Sequence, residues 1–209
     1  MTLDDYLRPL PLVAVLRGIT PAEIPAVADA LHAEGFRILE VPLNSPRPFD
    51  SIRELAEGYG DQCLVGAGTV IDVADVARVQ DAGGRLIVMP HADAAVIREA
   101  KRLGMVCLPG VATPTEAFAA LAAGADGLKM FPAEALPPGA LKAWRAVLPR
   151  GTLVFAVGGM KPDNLGPYWE AGADGFGTGS NLYKPGASLE SVREAASAYA
   201  RGIAALPKR

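Results

Sequence analysis

The sequence predicts an α/β protein built as a single-domain (β/α)8 barrel over residues 1–209. Eight short β-branched runs alternate with alanine-rich helical patterns along the whole chain. Their starts lie 20 to 26 residues apart, the period of a βα unit. No Gly-x-Gly-x-x-Gly follows the first run, which continues as Arg17-Gly18-Ile19-Thr20. The barrel is therefore favoured over an open doubly wound sheet, and eight regular units close a barrel neatly.

The predicted strands are Leu12 to Arg17, Ile38 to Leu43, Leu64 to Val70, Leu86 to Pro90, Val106 to Pro109, Gly127 to Phe131, Leu153 to Val157 and Gly175 to Gly179. After the first strand, Thr20 is placed to cap a helix, with Pro21 at its first position and Glu23 completing a capping box. Ile24, Val27, Ala28 and Leu31 form its apolar stripe, and Gly35 ends it. Asp72 and Thr113 read as similar caps, the latter with Pro114 and Glu116. Leu189, Val192, Ala196, Tyr199 and Ile203 mark a last helix. Pro137-Pro138-Gly139 reads as a loop, and no linker divides the chain. Ala123-Gly124-Ala125-Asp126-Gly127 nearly recurs as Ala171-Gly172-Ala173-Asp174-Gly175, each where a helix stops and a strand begins.

Composition narrows the function classes. Half of the 209 residues are hydrophobic, enough for a large core. A net charge of −3 and a pI of 5.4 argue against nucleic acid as the main partner. The N-terminus has no basic region before a long apolar stretch, so no signal peptide is expected, and no run is long enough to span a membrane. Cys63 and Cys107 follow no metal-ligand spacing and read as buried free thiols, which suits a reducing cytoplasm. His32, on the first helix, is expected at the surface. His91 follows Pro90 at the end of strand four and is a minor candidate for substrate contact. Two distant histidines without clustered acids predict no metal site, and no cofactor is called for.

In such a barrel the chemistry sits at the C-terminal strand ends, and strand residues alternate between interior and helix layer. Lys129, in Gly127-Leu128-Lys129-Met130-Phe131, shares the inward face with Gly127 and Phe131. Desolvation there lowers its pKa and favours a nucleophilic amine; a buried structural ion pair is the alternative. Glu40 points inward from a strand whose Leu39, Val41 and Leu43 face out. It either neutralises a buried cation or moves protons beside Lys129. Arg17 would sit at the rim, suited to a carboxylate or phosphate, or to an ion pair with Glu40. Thr69, after Gly66-Ala67-Gly68, offers a hydroxyl where the backbone can approach a ligand, though small residues also relieve crowding. Pro90, at the end of strand four, and Phe131, at the end of strand six, are further expected substrate contacts. Gly158, Gly159, Gly179 and Ser180 close strands seven and eight, where barrels of this kind hold phosphate on glycine N–H groups and a helix N-terminus. Lys101, Lys142, Lys161 and Lys184 are expected to be solvated.

These parts fit a retro-aldol reaction: the amine condenses with a ketone, the iminium accepts electrons from the breaking bond, and Glu40 shuttles protons. The expected substrate is a phosphorylated 2-keto acid. The chain resembles the KDPG/KHG aldolase family through Leu16-Arg17-Gly18-Ile19-Thr20-Pro21, Glu40-Val41-Pro42-Leu43-Asn44-Ser45-Pro46, Gly66-Ala67-Gly68-Thr69-Val70, Pro109-Gly110, Leu128-Lys129-Met130-Phe131-Pro132 and Phe155-Ala156-Val157-Gly158-Gly159. The resemblance implies that Lys129 forms the Schiff base, Glu40 is the acid/base, and Arg17 and Thr69 bind substrate. It puts Gly158, Gly159 and Ser180 at the phosphate. It implies a homotrimer that releases pyruvate and D-glyceraldehyde 3-phosphate without metal.

The resemblance also implies that Asn44 and Val157 contact substrate: gluconate-type members carry arginine where this chain has Asn44, and threonine where it has Val157. Both departures favour the galactonate type. One lost hydrogen bond changes preference by only about 1 kcal/mol, which leaves the gluconate epimer open as a substrate. A barrel isomerase or epimerase, in which Lys129 and Glu40 act only as acid and base, and a non-catalytic phosphosugar-binding barrel are the rivals from other classes.

Overall fold

The computed structural model describes residues 2–208. It contains nine parallel strands in one sheet: β1 (Leu12–Val15), β2 (Ile38–Pro42), β3 (Leu64–Gly68), β4 (Leu86–Val88), β5 (Val106–Leu108), β6 (Gly110–Val111), β7 (Leu128–Met130), β8 (Val154–Val157) and β9 (Gly175–Thr178). The helices are α1 (Leu3–Leu7), α2 (Ile24–Ala33), α3 (Pro48–Tyr59), α4 (Val73–Asp81), α5 (Ala94–Arg102), α6 (Pro114–Ala122), α7 (Pro138–Arg145), α8 (Leu165–Glu170) and α9 (Leu189–Ala204).

The strand order is β5-β4-β3-β2-β1-β9-β8-β7-β6. Its two ends are pieces of one stave. β5 pairs with β4, β6 pairs with β7, and Pro109 lies between them. Proline has no N–H to give to a ladder, so the stave breaks there. The carbonyls on either side still close the ring: Asp126 N–H donates to Cys107 O at 3.1 Å, and Lys129 N–H to Pro109 O at 2.8 Å. The predicted eight strands are thus eight staves, one of them split, and the fold is the expected (β/α)8 barrel.

Alternation sorts the apolar side chains into two layers. Leu12, Ala14, Leu39, Val41, Val65, Ala67, Leu128, Met130, Val154 and Ala156 join the helices in an outer core. Val13, Ile38, Leu64, Leu86, Val88, Leu108 and Phe155 fill the barrel interior. Leu3, Tyr6 and Leu7 of α1 join the interior cluster. This short helix was not foreseen, and it acts as a plug. Each leucine so buried contributes roughly 2 kcal/mol.

Every strand stops one or more residues before its predicted end, or starts later. Arg17, Thr69, Pro90 and Gly179 leave the ladder and belong to loops at one mouth, and Phe131 lies past the end of β7 with its N–H still donating to Val111 O at 3.1 Å. The predicted caps form. Thr20 and Glu23 make their capping box over a 3-10 turn, Pro21–Glu23, that leads into α2. Asp72 accepts from Ala74 N–H at 2.9 Å, and Thr113 exchanges bonds with Glu116. Pro138 and Gly139, expected in a loop, form the first turn of α7, where proline's missing N–H costs nothing. His32, expected at the surface, is half-buried, with its ring tilted against Tyr59.

The sequence repeat is a structural clamp. Asp126 accepts from Cys107 N–H at 2.8 Å and from Lys101 Nζ at 2.6 Å. Asp174 repeats the pattern with Val154 N–H at 2.8 Å and Arg145. In each case one carboxylate at the foot of a stave ties down the preceding stave and its helix. Lys101, expected to be solvated, is therefore engaged in an ion pair.

Candidate active site at the barrel mouth

Glu40 and Lys129 lie on staves far apart in the sheet order, yet both project into the barrel. A small interior space is lined by both of them, together with Val13, Val15, Val88, Leu108, Phe155, Val157 and Gly177. Glu40 is 1% exposed and Lys129 7%. Burial pushes the Glu40 carboxyl up to about 7, against the opposing pull of Lys129 and Arg17. Burial lowers the Lys129 amine, opposed by Glu40 and assisted by Arg17. Among the described residues no carboxylate forms an ion pair with Lys129, and Glu40 Oε2 has no hydrogen-bond partner. A buried acceptor left without a partner is costly, and sites that handle protons carry such groups. The Lys129 ammonium group instead lies 4.6 Å from the centre of the Phe131 ring.

Gly68 provides the room for Glu40. A Cβ on Gly68 would fall 1.8 Å from Glu40 Oε2 and 2.5 Å from Oε1. The reason for glycine is thus a close approach by the acid, which the sequence pattern alone did not reveal.

Above the lysine opens a cavity of about 470 Å³. Arg17, Lys129, Phe131, Val157, Gly158, Gly159, Gly179 and Ser180, all expected at the site, line it. Arg17 donates to Asn44 Oδ1 at 2.6 Å and to Thr69 Oγ1 at 3.3 Å, which brings those two residues to the same rim. Thr69 has φ of +56°, a left-handed conformation that a β-branched residue adopts only under strain of about 1–3 kcal/mol. Pro90 and His91 do not line the cavity. The Pro90 carbonyl packs against Gly110 instead, and His91 is exposed.

At the far end, Gly158 and Gly159 take φ of +107° and +68°. The N–H groups of Gly159, Ser180 and Asn181 donate to no protein acceptor among the described residues. Free N–H groups around a concavity suit an anion. The expected helix N-terminus is not there: α9 starts at Leu189, and residues after Gly179 form one turn, with Leu182 and Tyr183 N–H on the Gly179 carbonyl. Tyr183 and Lys184 also line the cavity and were not foreseen as site residues, because their loop has no strand periodicity to orient them.

The family model for KDPG and KHG aldolase matches residues 3–193. The chain belongs to this aldolase family. The protein is therefore a lyase. It is 52% identical over 186 residues to the probable 2-dehydro-3-deoxy-6-phosphogalactonate aldolase of Rhizobium meliloti, covering 89% of this chain and 88% of that one. It is 47% identical over 192 residues to 2-dehydro-3-deoxy-6-phosphogalactonate aldolase of Escherichia coli, covering 92% and 94%. A solved structure described as native KDPGal superposes with a TM-score of 0.91 at 47% identity, over 92% of this aldolase and 94% of that chain. Among the described residues no helix of the aldolase is long and apolar enough to cross a membrane.

Proposed function

We propose that this aldolase cleaves 2-dehydro-3-deoxy-6-phosphogalactonate to pyruvate and D-glyceraldehyde 3-phosphate through a Schiff base on Lys129. The observation that carries the reading is the interior space shared by Lys129 and Glu40, with the amine lowered and the carboxyl raised to about 7. An acid near 7 exchanges protons in both directions at neutral pH. The name borne by relatives at 47–52% identity supports the choice of substrate.

Lys129 Nζ adds to the C2 carbonyl carbon, and the carbinolamine takes a proton from Glu40 and loses water to give an iminium ion. Glu40 takes the C4 hydroxyl proton. The C3–C4 bond breaks, its electron pair moves toward the iminium nitrogen, and the aldehyde leaves. The enamine takes a proton at C3, and water releases pyruvate and the free amine. Arg17, with Thr69 and Asn44, holds the keto-acid end. Phe131 and Val157 form the walls. Gly158, Gly159, Gly179 and Ser180 receive the phosphate, so binding energy remote from the bond positions it for cleavage.

Val157 offers no hydroxyl to the substrate. A missing hydrogen bond of about 1 kcal/mol corresponds to roughly fivefold in kcat/KM, so the gluconate epimer is turned over more slowly rather than refused. Measuring pyruvate release from both epimers tests the assignment; equal or reversed preference contradicts it. The enzyme acts as a homotrimer in the cytoplasm. Sedimentation analysis reads the assembly directly.

A further inference from the structure

Four charged side chains line the large cavity: Arg17, Lys129, Glu134 and Lys184. Arg17 is engaged by Asn44 and Thr69, and Lys129 sits at the reacting carbon. The glycine end offers neutral N–H dipoles and one carboxylate. Glu134 lies so close to Gly159 that a Cβ there would be 2.7 Å from its Oε2. A phosphate monoester brings a charge near −2 at neutral pH. Beside an existing carboxylate, N–H dipoles alone leave that charge uncompensated. Lys184 is the remaining cation.

Lys184 is exposed, and among the described residues no hydrogen-bond or ion-pair partner engages its ammonium group. Its backbone, however, is fixed on both sides. Tyr183 is 2% exposed; its N–H donates to Gly179 O at 3.0 Å and its hydroxyl to Glu23 Oε1 at 2.9 Å. Glu23 is itself held by Thr20 N–H at 2.9 Å and Thr20 Oγ1 at 2.6 Å. Pro185 packs onto Gly18, where a Cβ would fall 2.5 Å from the proline Cγ. The loops after β1 and β9 thus grip the residues flanking Lys184, while its own side chain stays unpaired at the cavity wall. A fixed backbone lowers the entropy lost when a long cationic side chain closes on an anion.

We infer that Lys184 is a substrate-binding residue that supplies countercharge to the phosphate and sets the preference for phosphorylated over unphosphorylated substrates. This rests on the aldolase reading above for its substrate, but not for its first test. Inorganic phosphate, titrated into wild type and Lys184→Gln by calorimetry at low salt, serves as the probe. The variant binds about tenfold more weakly and with a shallower salt dependence, while Lys184→Arg stays near wild type. In the condensation direction with pyruvate, the ratio of kcat/KM for glyceraldehyde 3-phosphate to that for glyceraldehyde falls by about the same factor. Unchanged phosphate affinity in Lys184→Gln, or no phosphate binding by wild type, overturns the inference. A wild type that binds phosphate through Lys184 but releases no pyruvate from the sugar acid refutes the aldolase reading and leaves this one standing.

Discussion

Gly68→Ala is a sharp test of the geometry around the acid. The added Cβ would lie 1.8 Å from Glu40 Oε2, whereas real Cβ atoms essentially never approach a heavy atom within 3.0 Å. The obstructed group is the end of a flexible side chain, so the barrel tolerates the methyl and the carboxyl withdraws by more than about 1 Å. A displacement of that size in a proton-transfer group costs on the order of 100-fold in kcat. The assay is pyruvate release from the sugar acid, with thermal melting as the control for folding. The cycle with Glu40→Gln isolates the cause: in the Glu40→Gln background the alanine adds little further loss, because the group it displaces is already disabled. A Gly68→Ala enzyme with wild-type kcat refutes the reasoning, and so do losses that multiply across the cycle.

Other perturbations follow from the same geometry. Lys129→Ala removes turnover and leaves the circular dichroism spectrum unchanged, since Leu128 and Met130 on the other face carry the packing. Glu40→Gln lowers kcat by at least about 100-fold with a smaller change in KM, as pre-steady-state and steady-state kinetics would report. Stability responds in the opposite sense. Glu40 has its folded pKa raised from an ordinary 4.5 to about 7, so the fold binds the extra proton. Its contribution is fully present below pH 4.5 and is lost as pH rises through 7, roughly 3 kcal/mol in all. Urea denaturation at pH 5 and pH 8 should therefore show Glu40→Gln gaining on wild type at the higher pH; a gain at the lower pH instead contradicts the sign. Asp126→Asn, which weakens the clamp on Lys101 and Cys107 N–H, lowers stability by about 1–2 kcal/mol without changing kcat, read by denaturation and by turnover.

Much of the site was readable because a strand's period of two leaves only two faces. Once Leu39 and Val41 are assigned to the helix layer, Glu40 must point into the barrel, and Leu128 and Met130 do the same for Lys129. Local caps were readable for a similar reason, since Thr20, Asp72 and Thr113 act within a few residues of themselves. What escaped notice depends on contacts distant in sequence. The role of α1 rests on Leu3, Tyr6 and Leu7 meeting staves across the whole chain. The need for Gly68 comes from a side chain on another strand. The repeat carrying Asp126 and Asp174 was visible, but its function required the cations that come from α5 and α7. Strand ends were overestimated because Arg17 and Thr69 continue the alternation after the hydrogen-bond ladder has stopped.

The proposed mechanism stands on a covalent bond between one lysine and pyruvate. Incubating the enzyme with pyruvate, reducing with borohydride and mapping the product by mass spectrometry should find the reduced pyruvate adduct on Lys129 and on no other lysine. An enzyme that cleaves the sugar acid yet shows an unmodified Lys129 after reduction would contradict the account.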